Sequence, residues 1–314
     1  MELKEQIKLA AQFIKEGKVV AFPTETVYGL GANALNPNAV AKIFELKERP
    51  SFDPLIVHIA NLNDIQNLTL ANDERIYKLA KKFWPGPLTI VLPKKNIIPD
   101  IVTSGLPTVG IRMPNNNIAL ELINQSGCPI AAPSANKFGK ISPTLAKHVK
   151  KYLPDVDFII DGGKTTVGIE STIIRLNDDG FEILRYGVIT ETDLIDVIPK
   201  STLKTENKIL ASGMMKSHYS PDKRFYILTE ELLSQIDKSK AGLISFSGKY
   251  DLGFKKVINA ANNLNLKEYA INIFDAMHTM EESDVEVIVA EGVPETGIGK
   301  AIMDRLKKAA HKHK

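Results

Sequence analysis

Val19-Val20-Ala21-Phe22-Pro23-Thr24-Glu25-Thr26-Val27-Tyr28-Gly29-Leu30-Gly31 is the stretch from which the fold is read. Val19 to Phe22 form an apolar run suited to a buried strand. The polar, glycine-punctuated segment that follows predicts a turn where backbone and hydroxyl groups approach a ligand. Outward from there, short β-branched runs recur at Leu88 to Leu92, Val109 to Arg112, Phe158 to Ile160 and Thr172 to Leu176, separated by segments of helical spacing. The first of these segments lines up Leu3, Ile7, Ala10 and Ile14 on one helical face. This alternation, from Leu3 to about Ile198, predicts one α/β domain.

Between Pro199 and Asp222 the hydrophobic periodicity lapses and polar, Gly and Pro residues punctuate the chain, as in a linker. A second α/β unit is expected beyond it. Strands are expected at Ala241 to Phe246, Tyr269 to Phe274 and Val285 to Ala290, and a helix from about Ile298 to Ala310. Asp251 to Asn265 has no clear assignment, and His311 to Lys314 reads as a solvated helix end whose cations suit the dipole. The expected division is therefore a catalytic domain over 1–198, a linker over 199–222 and a C-terminal α/β domain over 223–314.

With 314 residues, 44% of them hydrophobic, the chain can bury two modest cores. A formal charge of +3 does not demand a nucleic-acid partner, but it is compatible with a local anion-binding patch. Cys128 is the single cysteine, which excludes an internal disulfide and a cysteine-cluster metal site. Beside Pro129 in apolar surroundings it reads as a small buried hydrophobe. The charged start and the lack of a long apolar stretch predict a cytoplasmic protein with no membrane segment.

Lys47-x-Arg49 and Ser134-x-Asn136 share i, i+2 spacing, which in extended chain points both side chains to one face. Either pair alone reads as a solvated strand or helix end. Combined with Phe22 to Gly31, they predict one anion-rich site. Nucleotide loops of the common kinds are absent: Gly292 to Gly297 is followed by Ile298 rather than Lys and Ser/Thr, and no G-x-G-x-x-G follows a strand. Hydrolase elbows and paired metal-spaced histidines are missing too.

The set resembles the threonylcarbamoyl-AMP synthase family, whose catalytic unit is the YrdC domain. The resemblance runs nearly end to end. It is carried by Lys47-Glu48-Arg49-Pro50, Asp53 to Ile59, Trp84 to Thr89, Val109 to Pro114, Ala131 to Asn136 and Glu170-Ser171-Thr172. The C-terminal third resembles the extra domain of the longer, two-domain form. The resemblance implies an α/β fold in which a YrdC-like twisted open sheet with flanking helices is joined to a smaller, Rossmann-like α/β domain. It implies condensation of L-threonine, bicarbonate and ATP into threonylcarbamoyl-AMP with release of pyrophosphate. Magnesium is expected to neutralise the triphosphate, with its ligands unassigned. Contact with tRNA and a downstream threonylcarbamoyl transferase complex are the implied partners.

By the same resemblance Lys47, Arg49, Ser134 and Asn136 are catalytic. Arg49, Asp53, Thr108, Ser134, Ser142, Arg185 and Tyr219 hold ATP, while Thr26, His58, Arg112, Ala132 and Ser171 hold L-threonine. Alternatives stay open at several positions. Asp53 stands where the family has Asn about as often, which favours ribose or adenine contact over phosphate. Arg112 is a carboxylate clamp or a structural ion pair, His58 a site residue or a core histidine, and Asn136 a ligand or only a turn former. Glu25 and Glu170 receive no role. Tyr219, in the run Ser212 to Pro221, is a lid over the ATP site or part of a passive tether. Two further functions compete: a double-stranded RNA or tRNA-binding module, weakened by scattered aromatics amounting to 7%, and another carbamoyl-adenylate-forming enzyme.

Overall fold

The computed structural model describes residues 1–203 and 218–311. Its strands fall into two sheets. The first comprises β1 (Val20–Phe22), β2 (Gly29–Asn33), β3 (Ile56–His58), β4 (Leu88–Pro93), β5 (Thr108–Arg112), β6 (Ile130–Ala131), β7 (Phe158–Ile159), β8 (Thr172–Asn177) and β9 (Gly180–Arg185). They lie in the order β7-β1-β2-β6-β3-β5-β4-β8-β9, with parallel and antiparallel neighbours mixed. The second comprises β10 (Arg224–Ile227), β11 (Ala241–Ser245), β12 (Lys256–Asn259) and β13 (Val287–Ala290), all parallel, in the order β10-β13-β11-β12. A large open sheet with flanking helices and a smaller α/β unit is the expected fold class.

Three local expectations need correction. Gly29-Leu30-Gly31 is a strand, pairing Gly31 with Val20 and Gly29 with Phe22, so the turn is confined to Pro23–Tyr28. The reason lies in packing: a Cβ on Gly31 would stand 2.6 Å from the Phe22 ring and 2.7 Å from Ile130, so glycine here permits close approach within a sheet. Lys47-x-Arg49 is not extended. The helix Pro37–Lys47, capped by the Asn36 side chain, ends at Lys47, and Glu48 turns left-handed at φ 53° before Arg49. Tyr269 to Phe274 belongs to the helix Leu266–Glu282, because Tyr269, Ala270, Ile273, Phe274, Met277 and Met280 are buried at helical spacing; a six-residue window hides that period. The unassigned segment Asp251 to Asn265 contains β12. Ser212 to Ser217 lie outside the described residues.

Helix Leu3–Lys15 buries Ile7, Ala10, Ala11 and Ile14 in a cluster with Phe22, Leu122 and Ile130, on one face of the large sheet. The principal cluster, with Tyr28, Ile43, Val57, Ile90 and Ile111, fills the other. A further cluster joins Val27, Ile141, Ile169 and Tyr219 to Phe274, Met277 and Ile302, so the second unit closes over the loop that follows β1. There, the His148 and His278 rings stack at 3.8 Å and 17°, and Gly168, at φ 82°, lies against the backbone of Ala270 and Ile271. Among the described residues no helix is long and apolar enough to cross a membrane.

Candidate active site

The loop Pro23–Tyr28 is folded by its own hydroxyls. Thr24 donates to the Val27 carbonyl at 2.7 Å, and its Oγ1 lies 2.8 Å from that of Thr26. This turns Thr26 toward the end of β5, where Arg112 Nη2 donates to Thr26 Oγ1 at 2.9 Å and pairs with Glu25 at 2.8 Å. Parallel pairing of β3 with β5 sets His58 opposite Arg112, and Ala132 follows directly on β6. His58 is held neutral: burial, with Arg112 beside it, lowers its pKa to about 3. These four residues line one cavity with Ser134, Glu170, Arg185, His218 and Tyr219.

Behind that wall stand the two cationic motif residues. Lys47, 1% exposed, donates to the carbonyls of Ser134 at 2.6 Å and Asn136 at 2.5 Å. Burial drives its pKa well below the usual lysine value, and the Arg49 charge adds to the effect. Arg49 donates to the Asp53 and Pro54 carbonyls and pairs with the Asp53 carboxylate at 2.9 Å. Burial pulls the guanidinium down and the carboxyl up, and the ion pair opposes both shifts. Asn136 donates to the Lys137 and Lys140 carbonyls, shaping its turn, while its Oδ1 is buried without a hydrogen-bond partner. The same holds for His58 Nδ1, Arg112 Nε and His218 Nδ1. Orphaned polar atoms gathered around one cavity mark a place built for a ligand.

The opposite wall is tied together by Arg185, which donates to the Ser171 carbonyl and hydroxyl at 3.0 Å each, and Ser171 also meets Thr89 at 2.8 Å. Ser142 donates to Glu170 at 2.5 Å. Burial opposes ionisation of Glu170, but Arg305 and Arg185, with the Ser142 bond, outweigh it and hold the pKa at about 2. Tyr219 is 1% exposed, at φ 63°, with its ring near His218 at 4.1 Å and Phe274 at 5.3 Å. The cavity has a volume of about 40 Å³, enough for a few waters, and is partly open to solvent.

Thus Thr26, His58, Arg112, Ala132, Ser134, Arg185 and Tyr219 line the cavity, while Lys47, Asn136, Ser142 and Ser171 stand behind it through direct hydrogen bonds. Arg49 and Asp53 form a pair close by, with Arg49 6.0 Å from the Phe138 ring. Thr108, at the far end of β5 from Arg112, lies off the cavity. Arg112 takes the ion-pair alternative in this structure. The sequence reading gave no role to Glu170 and left out Thr24, His218 and Arg305 as site residues. For Arg305 a signal existed: it interrupts an apolar stripe of Ile302, Leu306 and Ala309 at helical spacing. Cys128 is only partly exposed, and burial raises its thiol to about 11, which is not the environment of a nucleophile.

Buried guanidinium and ammonium groups ringed by hydroxyls, at the loop ends of a mixed sheet, belong to an α/β protein of the YrdC class. Comparison with known proteins makes this specific. The family model of Sua5, YciO and YrdC, described as telomere recombination, matches residues 12–187, and that of the threonylcarbamoyl-AMP synthase C-terminal domain matches 189–311. Threonylcarbamoyl-AMP synthase of Pyrococcus abyssi is 44% identical, covering 97% of this chain and 94% of its own. The Bacillus subtilis synthase is 42% identical, covering 97% and 93%. The crystal structure of P. abyssi Sua5 complexed with L-threonine matches with a TM-score of 0.90 at 44% identity, over 99% of this chain and 95% of that one. The chain belongs to the threonylcarbamoyl-AMP synthase family.

Proposed function

We propose that the chain is an L-threonylcarbamoyladenylate synthase, condensing L-threonine, bicarbonate and ATP into threonylcarbamoyl-AMP, pyrophosphate and water. The observation that carries this reading is the convergence of Thr26, His58, Arg112 and Ala132 with Ser134, Arg185 and Tyr219 on one cavity backed by Lys47 and Arg49. The threonine amine attacks the bicarbonate carbon, and water leaves. An oxygen of the resulting carbamate attacks the α-phosphorus as the bond to pyrophosphate breaks. The chain's part is to align two anions and stabilise charge on the phosphate oxygens.

In this reading Arg112 exchanges Glu25 for the threonine carboxylate, with Thr26, His58, Ala132 and Ser171 around the amino acid. Lys47, Arg49, Ser134 and Asn136 serve the reacting phosphate, and Ser142, Arg185 and Asp53 the rest of the nucleotide, which extends beyond the present cavity toward Thr108. Tyr219 lines the cavity, and in this reading its ring withdraws to admit ATP and returns to exclude water from the labile carbamate. Magnesium, in this reading, neutralises the triphosphate, with its ligands unassigned. The product serves tRNA modification in the cytoplasm, where tRNA is contacted and a separate transferase complex completes the step.

Incubation of the chain with ATP, labelled bicarbonate and threonine, followed by detection of the mixed anhydride, tests the reading. Pyrophosphate release is expected to require both threonine and bicarbonate. Release that ignores threonine overturns it.

A further inference from the structure

Arg305 lies in the last helix, Gly299–Ala310, and is 1% exposed. Its Nε donates to Glu170 Oε2 at 3.0 Å, and its Nη1 donates to the Tyr186 carbonyl at 2.7 Å and to Asp304 at 3.0 Å. Its Cζ stands 5.5 Å from the centre of the Tyr219 ring. Tyr186 directly follows Arg185, and the other Glu170 oxygen accepts the Ser142 hydroxyl. One side chain of the second unit therefore touches the three segments that carry Glu170, Arg185 and Tyr219.

We infer that Arg305 is a positioning residue of the active site, supplied by the C-terminal unit, which neutralises Glu170 and fixes the Tyr219 ring so that the cavity accepts the triphosphate of ATP. The inference rests on the reading of function above and deepens it by giving the second unit a part in nucleotide binding. Glu170 lines the cavity and is 6% exposed. Left without Arg305, its carboxylate would face an incoming polyanion in a medium that screens charge poorly. A planar guanidinium reaches Glu170, the Tyr186 carbonyl and the Tyr219 face at once, which a lysine ammonium cannot. The residue acts through Glu170 and Tyr219 rather than on the reacting atoms.

Steady-state kinetics of the full chain test this, with threonylcarbamoyl-AMP formation as readout. Arg305→Ala is expected to raise the KM for ATP by about tenfold or more while the KM for threonine stays within about twofold. Adding Glu170→Gln to Arg305→Ala is expected to restore most of the ATP affinity, because the uncompensated charge is gone. Equal change in both KM values, a fall in kcat alone, or no recovery in the double variant would reduce Arg305 to a structural strut and overturn the inference. Should Arg305→Ala fail to fold, Arg305→Lys carries the test: a rise of about threefold in the ATP KM alone supports the role, and wild-type constants or a shift in both refute it. A wild-type chain that binds ATP but forms no product counts against the reading of function. Weakened ATP binding by Arg305→Ala in isothermal titration would still support the inference in that case.

Discussion

At the scale of single residues, burial and partner together decide each charge, and Glu170 shows how. Its carboxyl is held at about 2 against an ordinary 4.5, so the folded protein binds this proton less readily than the unfolded chain. The sign follows: the contribution is fully present above about 4.5 and is lost as pH falls toward about 2. Its size is roughly 3 kcal/mol. Denaturant unfolding between these values is expected to show a shallower acid loss for Glu170→Gln than for the parent; identical slopes would exclude Glu170 as the source. Much at this scale was readable beforehand. Lys47 does meet Ser134 and Asn136, but through backbone carbonyls that no side-chain spacing announces. The Arg112–Glu25 ion pair stood among the alternatives, and only the folded loop selects it.

At the scale of elements, the helices Ala146–Tyr152 and Leu266–Glu282 meet through the stacked rings of His148 and His278. His148 also faces Thr144 and Asp275, and His278 faces the Ser142 carbonyl and Tyr152; Lys147, Lys151 and Glu281 complete the charges nearby. Burial lowers both imidazoles from 6.5 to about 3. A histidine kept neutral by the fold binds fewer protons folded than unfolded, so its stabilising share is complete above about 6.5 and declines as pH falls toward about 3. His278→Phe is therefore expected to narrow the stability difference between pH 7 and pH 5 measured by chemical denaturation, at some cost at pH 7 for the lost Ser142 contact. An unchanged difference would rule the pair out. Strands at Leu88–Pro93, Thr108–Arg112 and Thr172–Asn177 were legible because β-branched residues cluster there. The helix over Tyr269 to Phe274 was not, since its period emerges only over the full 17 residues.

At the scale of the whole molecule, the two units pack backbone against backbone at Gly168. A Cβ there would lie 2.4 Å from the Ala270 carbonyl oxygen and 2.4 Å from Ile271 Cα, both backbone, and φ is 82°. Gly168→Ala is expected to cost about 1–3 kcal/mol in stability and to lower activity as well, because Arg305 and the Tyr219 ring rely on that packing. Unfolding curves and turnover of the purified variant check it; parental stability with parental turnover would show that the units tolerate separation. The sequence by itself determined the two α/β units, the family and half of the residues that line the cavity, because strand composition, motif order and glycine placement are local properties written along the chain. Only the tertiary structure decided that Glu170 pairs with Arg305, that the Tyr219 ring lines the cavity and that Arg305 reaches both side chains. Those facts depend on partners up to 135 positions apart, and burial, which sets the worth of every such contact, exists only once the chain has folded.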